Sequence, residues 1–249
     1  MNSNRPGVVL AMLERGLAAW RALPAADREK PPQTTAPKHR FEWQWPTDGL
    51  VLTQTMRYLP DHDDAAATPE PYSNHDHAWF TAAEARQLFA AAPRVGAEHT
   101  VPPALFERLA RFHLVDAVRG ETRSFDAAEV AGALRTTIGA VRGGLIDVEL
   151  RGSSRATRGA RPRGPGRWAT AISAQLLGRA RYDLDKAQFV AFELVAKGER
   201  VQLRSRRRGH QRQRPIGWHF ALTPPDAAAS RIAPTHIREY GGRWSAGRR

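Results

Sequence analysis

The chain has 249 residues, no cysteine and a formal net charge of +13. Its length fits one large domain or two small ones, with enough chain to bury a substantial core. The absence of cysteine excludes disulfides and thiolate metal sites.

Residues 7–23 predict an amphipathic helix, because large apolar side chains recur there at helical spacing and Pro24 ends the pattern. Residues 24–40 are polar and rich in proline, which is typical of a linker. We therefore expect residues 1–40 to form an N-terminal helix and linker outside the main domain.

The same N-terminal stretch bears on location. Glu14, Arg15 and Arg21 interrupt it, so it predicts neither a membrane span nor a secretory signal. The default expectation is a soluble, cytoplasmic protein without a membrane span; export stays open if the natural start lies upstream.

Residues 41–59 predict a β-hairpin. Aromatic and polar residues alternate over residues 41–45, a turn sequence follows at 47–49, and alternation resumes from Leu50 to Leu59. An acidic, proline-containing loop over residues 60–74 follows the hairpin.

Two or three short helices are predicted next. Thr81 and Glu84 have the spacing of a capping box, in which each side chain bonds the other residue's backbone amide. The Pro102-Pro103 pair opens a second helix. Asp126 and Glu129 have the spacing to cap a third.

From about residue 133 the hydrophobic period changes from helical to two. Apolar residues alternate over 134–140, 146–150, 168–176 and 216–222, and residues 188–197 are almost wholly apolar. Tight turns at Gly143-Gly144 and 182–186 join successive strands, which predicts an antiparallel meander. The predicted fold class is α+β, with an open or partial barrel in the C-terminal half of one domain (41–223) and a C-terminal tail (224–249).

His75, Asp76 and His77 are the sharpest chemical pattern. In an extended segment the two histidines point the same way and can reach one divalent metal ion. His113, Asp116 and His99 are candidate third ligands, and residues 61–64 lie close upstream, although the spacing of His113 also fits a buried helix position. In such a site Asp76 or Asp116 is the candidate catalytic base or orienting group.

The positive charge is concentrated in residues 151–214, which carry 15 Arg, 2 Lys and 4 acids. We interpret residues 151–167 and 200–214 as solvated basic loops. A sequence-independent polyanion contact is the alternative, because closely spaced arginines can neutralise several phosphates. The candidate nucleic-acid residues are Arg204, Arg206, Arg207, Arg208, Arg212 and Arg214.

Four segments resemble an uncharacterised bacterial family known only as hypothetical proteins: HDHAWFTAAEA, VPPALFERLARFHLVDAVRGE, LLGRARYDLDKAQFVAFELVAKGER and PIGWHFAL. They fall within residues 72–222. The resemblance implies no activity, ligand or cofactor. It adds weight to His75, Asp76 and His77 as more than a chance pattern.

Three classes of function remain open. The first is a non-catalytic binding or structural protein that holds a small apolar ligand or a protein partner, favoured by the many aromatic residues and by the absence of serine-hydrolase, P-loop and dinucleotide-binding motifs. The second is a metal-dependent, hydrolytic enzyme using His75 and His77. The third is a non-specific nucleic-acid binder.

Overall fold

The computed structural model describes residues 6–28, 41, 44–60, 72–120, 122–159, 168–204, 211–223, 232–241 and 244. The chain divides into two units, Met1–His39 and Arg40–Arg249. The described part of the first unit contains helices α1 (Pro6–Ala22) and α2 (Ala25–Arg28). This agrees with the predicted N-terminal helix and its end near Pro24.

The second unit is built on one open, antiparallel sheet of eight strands, in agreement with the predicted α+β class and partial barrel. The strands are β1 (Leu50–Tyr58), β2 (Ser73–Phe80), β3 (Glu98–Thr100), β4 (Val130–Arg142), β5 (Leu145–Arg158), β6 (Trp168–Asp183), β7 (Gln188–Arg204) and β8 (Gln211–Leu222). Their order is β2-β1-β8-β7-β6-β5-β4-β3, so the last five strands form the predicted meander.

One face of the sheet, here called the inner face, carries the core. A row of directly paired residues crosses all eight strands on this face: Asp76, Gln54, Phe220, Leu194, Gly178, Leu150, Thr136 and His99. Most of them are buried. The opposite, outer face carries mainly polar side chains, as expected of an antiparallel sheet with one solvated face.

Helices α3 (Ala82–Arg86) and α4 (Pro103–Phe112) contribute buried residues to the inner-face core. The predicted capping box of Thr81 and Glu84 is present at α3, and Pro103 begins α4. Glu84 also accepts two bonds from the Arg108 guanidinium, at 2.5 and 2.9 Å, which ties the two helices together. The third predicted cap, Asp126 with Glu129, caps the N-terminus of a 3-10 helix over Ala127–Glu129.

The described residues near the C-terminus also belong to the domain. Ile237, Tyr240 and Trp244 are buried in a second apolar cluster with Val51 and Trp79 of the β1–β2 edge. A short 3-10 helix over Ile237–Glu239 lies within this segment. The expected tail from residue 224 is therefore, at residues 232–241, part of the folded core.

The strand assignments at the start of the domain differ from the sequence prediction. The described residues at 41, 44 and 45 are not in a strand, and β1 pairs with β2 and β8 instead of forming a hairpin with them. Phe41 is buried in the same apolar cluster as Ile237 and Tyr240, and Trp45 packs against this cluster, so these two aromatic residues serve core packing.

The predicted basic loops are shorter than expected, because the strands run on into them. Strand β5 continues to Arg158, and β7 and β8 remain paired from Arg200 opposite Arg214 to Leu203 opposite Gln211. Backbone pairing along a long hairpin tolerates arginine at every second position, where a side chain can point to solvent.

The turn between β4 and β5 agrees with its sequence. Gly143 and Gly144 both have positive φ, +54° and +77°, the conformation required by a type I′ hairpin turn. After this turn β5 pairs with β6, beginning with Leu145 opposite Asp183.

Gly198 tests the packing of β7 on β6. A Cβ at this position would lie 2.0 Å from the Ser173 carbonyl oxygen and 2.9 Å from Ala174 Cα. We expect Gly198→Ala to lower the free energy of unfolding by about 1–3 kcal/mol, because a backbone neighbour cannot move aside without strain. Urea unfolding checks this, with Gly159→Ala, whose Cβ meets nothing within 4 Å, as the control. Equal stability of the two variants would contradict the close packing.

Candidate functional site

Asp76 and the two flanking histidines lie on opposite faces of β2. The Asp76 carboxylate lies on the inner face, where Oδ1 accepts from the Thr235 backbone N–H at 2.9 Å and hydroxyl at 3.1 Å. Oδ2 lies 3.7 Å from His113 Nδ1. Side chains alternate along a strand, so His75 and His77 point to the same side of β2, as predicted for an extended segment, and that side is the outer face.

The structure does not bring His113 to the side of β2 that carries His75 and His77. His75 Nδ1 lies 3.1 Å from the Thr55 hydroxyl on the outer face, and His77 is buried with Nδ1 unpaired. Burial lowers the pKa of His77, and the charge of Asp76, which acts in the opposite direction, is the smaller effect. Within the described ranges no group of three His, Asp or Glu side chains is placed to hold a metal ion.

His113 is fully buried and lies at the C-terminal cap of α4. The Gln54 amide donates to the His113 carbonyl at 2.6 Å, which points Oε1 of the same amide at His113 Nδ1, 3.2 Å away. Nδ1 therefore carries the proton, and Nε2 accepts from the Tyr240 hydroxyl at 2.5 Å. Burial lowers the pKa of His113 to about 4 and raises that of Tyr240 well above its usual value.

This His113–Tyr240 pair joins α4 to the C-terminal segment. Both side chains are neutral around pH 7, and neither is accessible to a substrate. We conclude that His113 holds the fold together, as its spacing on the predicted buried helix face already indicated.

Asp116, the other candidate catalytic residue, is held by two partners. Tyr58 donates its hydroxyl to both carboxylate oxygens, at 2.9 and 3.0 Å, and Arg200 Nε lies 2.7 Å from Oδ2. Burial, with the Asp116 charge adding to it, raises the pKa of Tyr58. Asp116 thus balances the charge of Arg200 at one end of the inner face.

That end of the inner face changes from apolar to cationic. Arg200 and Arg214 are directly opposite each other on β7 and β8, and Arg158 follows Ala156 on the inner side of β5. Like charges in opposed positions repel each other. Besides Asp116, the Tyr58 ring relieves this repulsion, since the Arg214 guanidinium lies 4.4 Å from the ring centre.

Arg158 fastens the loop before the first 3-10 helix. Its Nη2 donates to the carbonyls of Ser124 and Arg123, and its guanidinium lies over the Phe125 ring at 4.6 Å. Its Nε lies 3.5 Å from Glu129. Among the described residues, no hydrogen bond uses Nη1 of Arg158 or Nη1 of Arg200, so each guanidinium keeps donors for a further partner.

Three adjoining cavities lie beside these residues, and Thr122 lines all of them. The innermost, of about 70 Å³, is lined by Arg123, Arg158, Arg200, Asp116 and five further residues. The second, of about 230 Å³, reaches Asp76 and Asn74, and the third, of about 740 Å³, is the open mouth at Phe41 and Arg238. Together we call them the cleft.

His236 lines both outer cavities of the cleft. Its Nδ1 lies 3.0 Å from Glu239 Oε1, and the Ser124 hydroxyl donates to Oε2 of the same carboxylate at 2.5 Å. Burial tends to raise the pKa of Glu239, but these hydrogen bonds outweigh it and lower that pKa. An ionised carboxylate only accepts, so Nδ1 carries the proton in the neutral ring and Nε2 has a free lone pair.

The candidate nucleic-acid residues fall into three groups. Arg206, Arg207 and Arg208 lie outside the described residues. Arg204 and Arg212 are at strand positions near the end of the β7–β8 hairpin. Arg214 was expected in a solvated loop, but it lies on the inner face with its guanidinium over the Tyr58 ring. Polyanion binding by this set stays a prediction.

Sequence reasoning named Asp76 and Asp116 but missed Arg158, Arg200 and His236, which line the same cleft. Arg158 and Arg200 continue the inward parity of Ala156 and Gly198, so extending the strand pattern through the supposed loops would have placed them on the inner face. His236 had no such signal, because its position depends on how the C-terminal segment folds back.

Comparisons with known proteins add no relative: no family model matches the chain, and neither a curated protein nor a solved structure is significantly similar. Over the described residues, no helix has the length and apolar character needed to cross a membrane.

Proposed function

We propose that this chain is a non-catalytic binding protein whose cleft takes a small organic anion. The observation that carries the proposal is the innermost cavity, whose lining includes three arginines and one carboxylate, that of Asp116. The arginines come from β5, β7 and the loop before the first 3-10 helix, so distant parts of the chain meet at one point.

The hydrogen-bond donors at this cavity favour an anion. A guanidinium group binds carboxylate and phosphate oxygens through paired N–H donors. Arg158 and Arg200 are fixed by their other contacts and are each about one-fifth exposed, which reduces the entropy lost when an anion binds.

The expected small apolar ligand has less support. The inner-face core is filled by side chains such as Trp218 and Phe220, and the lining of the cavities beside it includes charged and hydroxyl groups as well as apolar ones. An anion uses those groups, whereas an apolar ligand would leave them unpaired.

The test is binding of small anions to the full chain. Inorganic phosphate, citrate and glycerol 3-phosphate are titrated while the melting temperature and the heat of binding are followed. We expect at least one to bind, and Arg200→Gln to weaken it about tenfold or more, since a hydrogen bond to a charged group contributes roughly 1.5–3 kcal/mol.

Two controls make the result specific. Arg151→Gln removes an exposed arginine of β5 on the outer face and should leave binding unchanged. Because Arg200→Gln also removes the partner of Asp116, Arg123→Gln serves as a second variant at a half-exposed site. Binding of none of the three anions, or equal binding by all variants, would refute the proposal.

A further inference from the structure

The two ends of the cleft have opposite hydrogen-bonding character. The arginine end offers the N–H donors of three guanidinium groups beside the Asp116 carboxylate, whereas the middle of the cleft, around Asp76 and His236, offers acceptors. This difference indicates that a bound anion must carry hydrogen-bond donors at the end away from the arginines.

Asp76 has one acceptor oxygen to spare. Its Oδ1 takes both bonds from Thr235, and Oδ2 lies 3.7 Å from His113 Nδ1, beyond hydrogen-bond distance. Among the residues described here, Oδ2 has no donor, and Asp76 lines the cavity of about 230 Å³.

His236 adds a second acceptor. Its donor nitrogen is fixed towards Glu239, and its ring is tilted by 30° to that of Phe112 at a centroid distance of 5.9 Å, which restricts rotation. In the described part of the chain Nε2 has no partner. The neighbouring Asn74 supplies no compensating donor, because its amide donates to the Ala117 carbonyl at 2.6 Å.

Resting on the proposed function, we infer that Asp76 and His236 form a second subsite, which selects small organic anions carrying a hydroxyl or ammonium group at the end away from the anion. The arginines hold the anion, and the ligand's own O–H or N–H groups donate to Asp76 Oδ2 and His236 Nε2. An analogue without such donors would leave both acceptors desolvated and unpaired, which is the strongest basis for discrimination in a binding site.

The experiment compares three phosphate monoesters on the full chain by calorimetry. Glycerol 3-phosphate carries hydroxyls, phosphoethanolamine carries an ammonium group, and propyl phosphate carries neither. We expect one of the first two to bind at least about tenfold more tightly than propyl phosphate. The preferred one tells whether the subsite takes hydroxyl or ammonium.

Variants separate the two subsites. His236→Phe keeps a ring against Phe112 but removes the acceptor, and Asp76→Asn keeps an oxygen for Thr235. Either is expected to reduce the preference over propyl phosphate while leaving the affinity for propyl phosphate within about twofold, whereas Arg200→Gln weakens all three esters alike. His219→Phe, at a half-exposed position on the outer face, is the matched control.

The outcomes distinguish the two proposals. If no ester binds, the proposed anion site fails and the subsite fails with it. If all three bind the wild-type chain equally, the anion site stands and the subsite is refuted. Retention of the full preference by both His236→Phe and Asp76→Asn would also refute it.

Discussion

Replacing Tyr240 by alanine is expected to lower the free energy of unfolding by about 3–5 kcal/mol, the range found for removing a large buried aromatic side chain. The ring is stacked on Phe112 at 5.5 Å and lies under the Arg108 guanidinium at 4.8 Å. Its hydroxyl is also the donor to His113 Nε2. Urea unfolding followed by tryptophan fluorescence measures the change.

One further variant separates the contribution of the Tyr240 hydroxyl from that of its ring, and a second serves as a control. Tyr240→Phe keeps the ring and removes only the hydroxyl, so we expect a loss of about 1–3 kcal/mol from the unpaired His113 acceptor. Ile232→Ala changes a neighbouring apolar residue that is 56% exposed and should shift stability by less than about 0.5 kcal/mol. If Tyr240→Ala behaved like Ile232→Ala, the C-terminal segment would not be part of the core.

Lowering the pH from 7.5 to 4 is expected to destabilise the protein through His113. Burial holds its pKa at about 4, against 6.5 for a free imidazole, so the unfolded chain binds the proton more readily over this interval. The stabilisation is complete above pH 6.5 and is lost as the pH falls towards 4. Between pH 7.5 and 4 this loss amounts to about 3 kcal/mol.

The groups around His113 set the direction of this effect. Burial is the largest effect and lowers the pKa of His113. The Asp76 carboxylate raises this pKa, whereas the charges of His236, Arg108 and His77 lower it further. Urea unfolding at both pH values measures the loss in the wild type and in His113→Gln, which cannot titrate.

We expect the acid-induced loss to be smaller in His113→Gln by roughly 3 kcal/mol. His219→Gln, which removes a half-exposed imidazole from the outer face, should lose as much as the wild type. An equal loss in His113→Gln and wild type would show that His113 is not buried in its neutral form.

The accuracy of the sequence prediction depended on how far apart in the chain the interacting residues are. The caps at Thr81 and Asp126 and the turn at Gly143-Gly144 depend on residues within a few positions, and all three were predicted and confirmed. The strand alternation of the C-terminal half was equally local, and it gave the meander correctly.

The failures lie where contacts join distant residues. The aromatic residues at 41–45 look like a strand because alternation alone cannot tell a strand from a segment whose side chains, here Phe41 and Trp45, pack into an apolar cluster with the C-terminal residues. Strand length was underestimated for β5 and β7, since glycine and arginine suggest a loop, while ladder hydrogen bonds to two neighbours keep both strands extended.

The sequence by itself determined the fold class, the order of the strands in the meander and the burial of His113, because hydrophobic period and turn chemistry are local properties. Only the tertiary structure decided which face of the sheet Asp76 lies on, and that Arg158, Arg200 and His236 line one cleft with it. Those residues lie up to 160 positions from Asp76 in the chain. Their approach depends on sheet register and on the return of the C-terminal segment, neither of which any short pattern encodes.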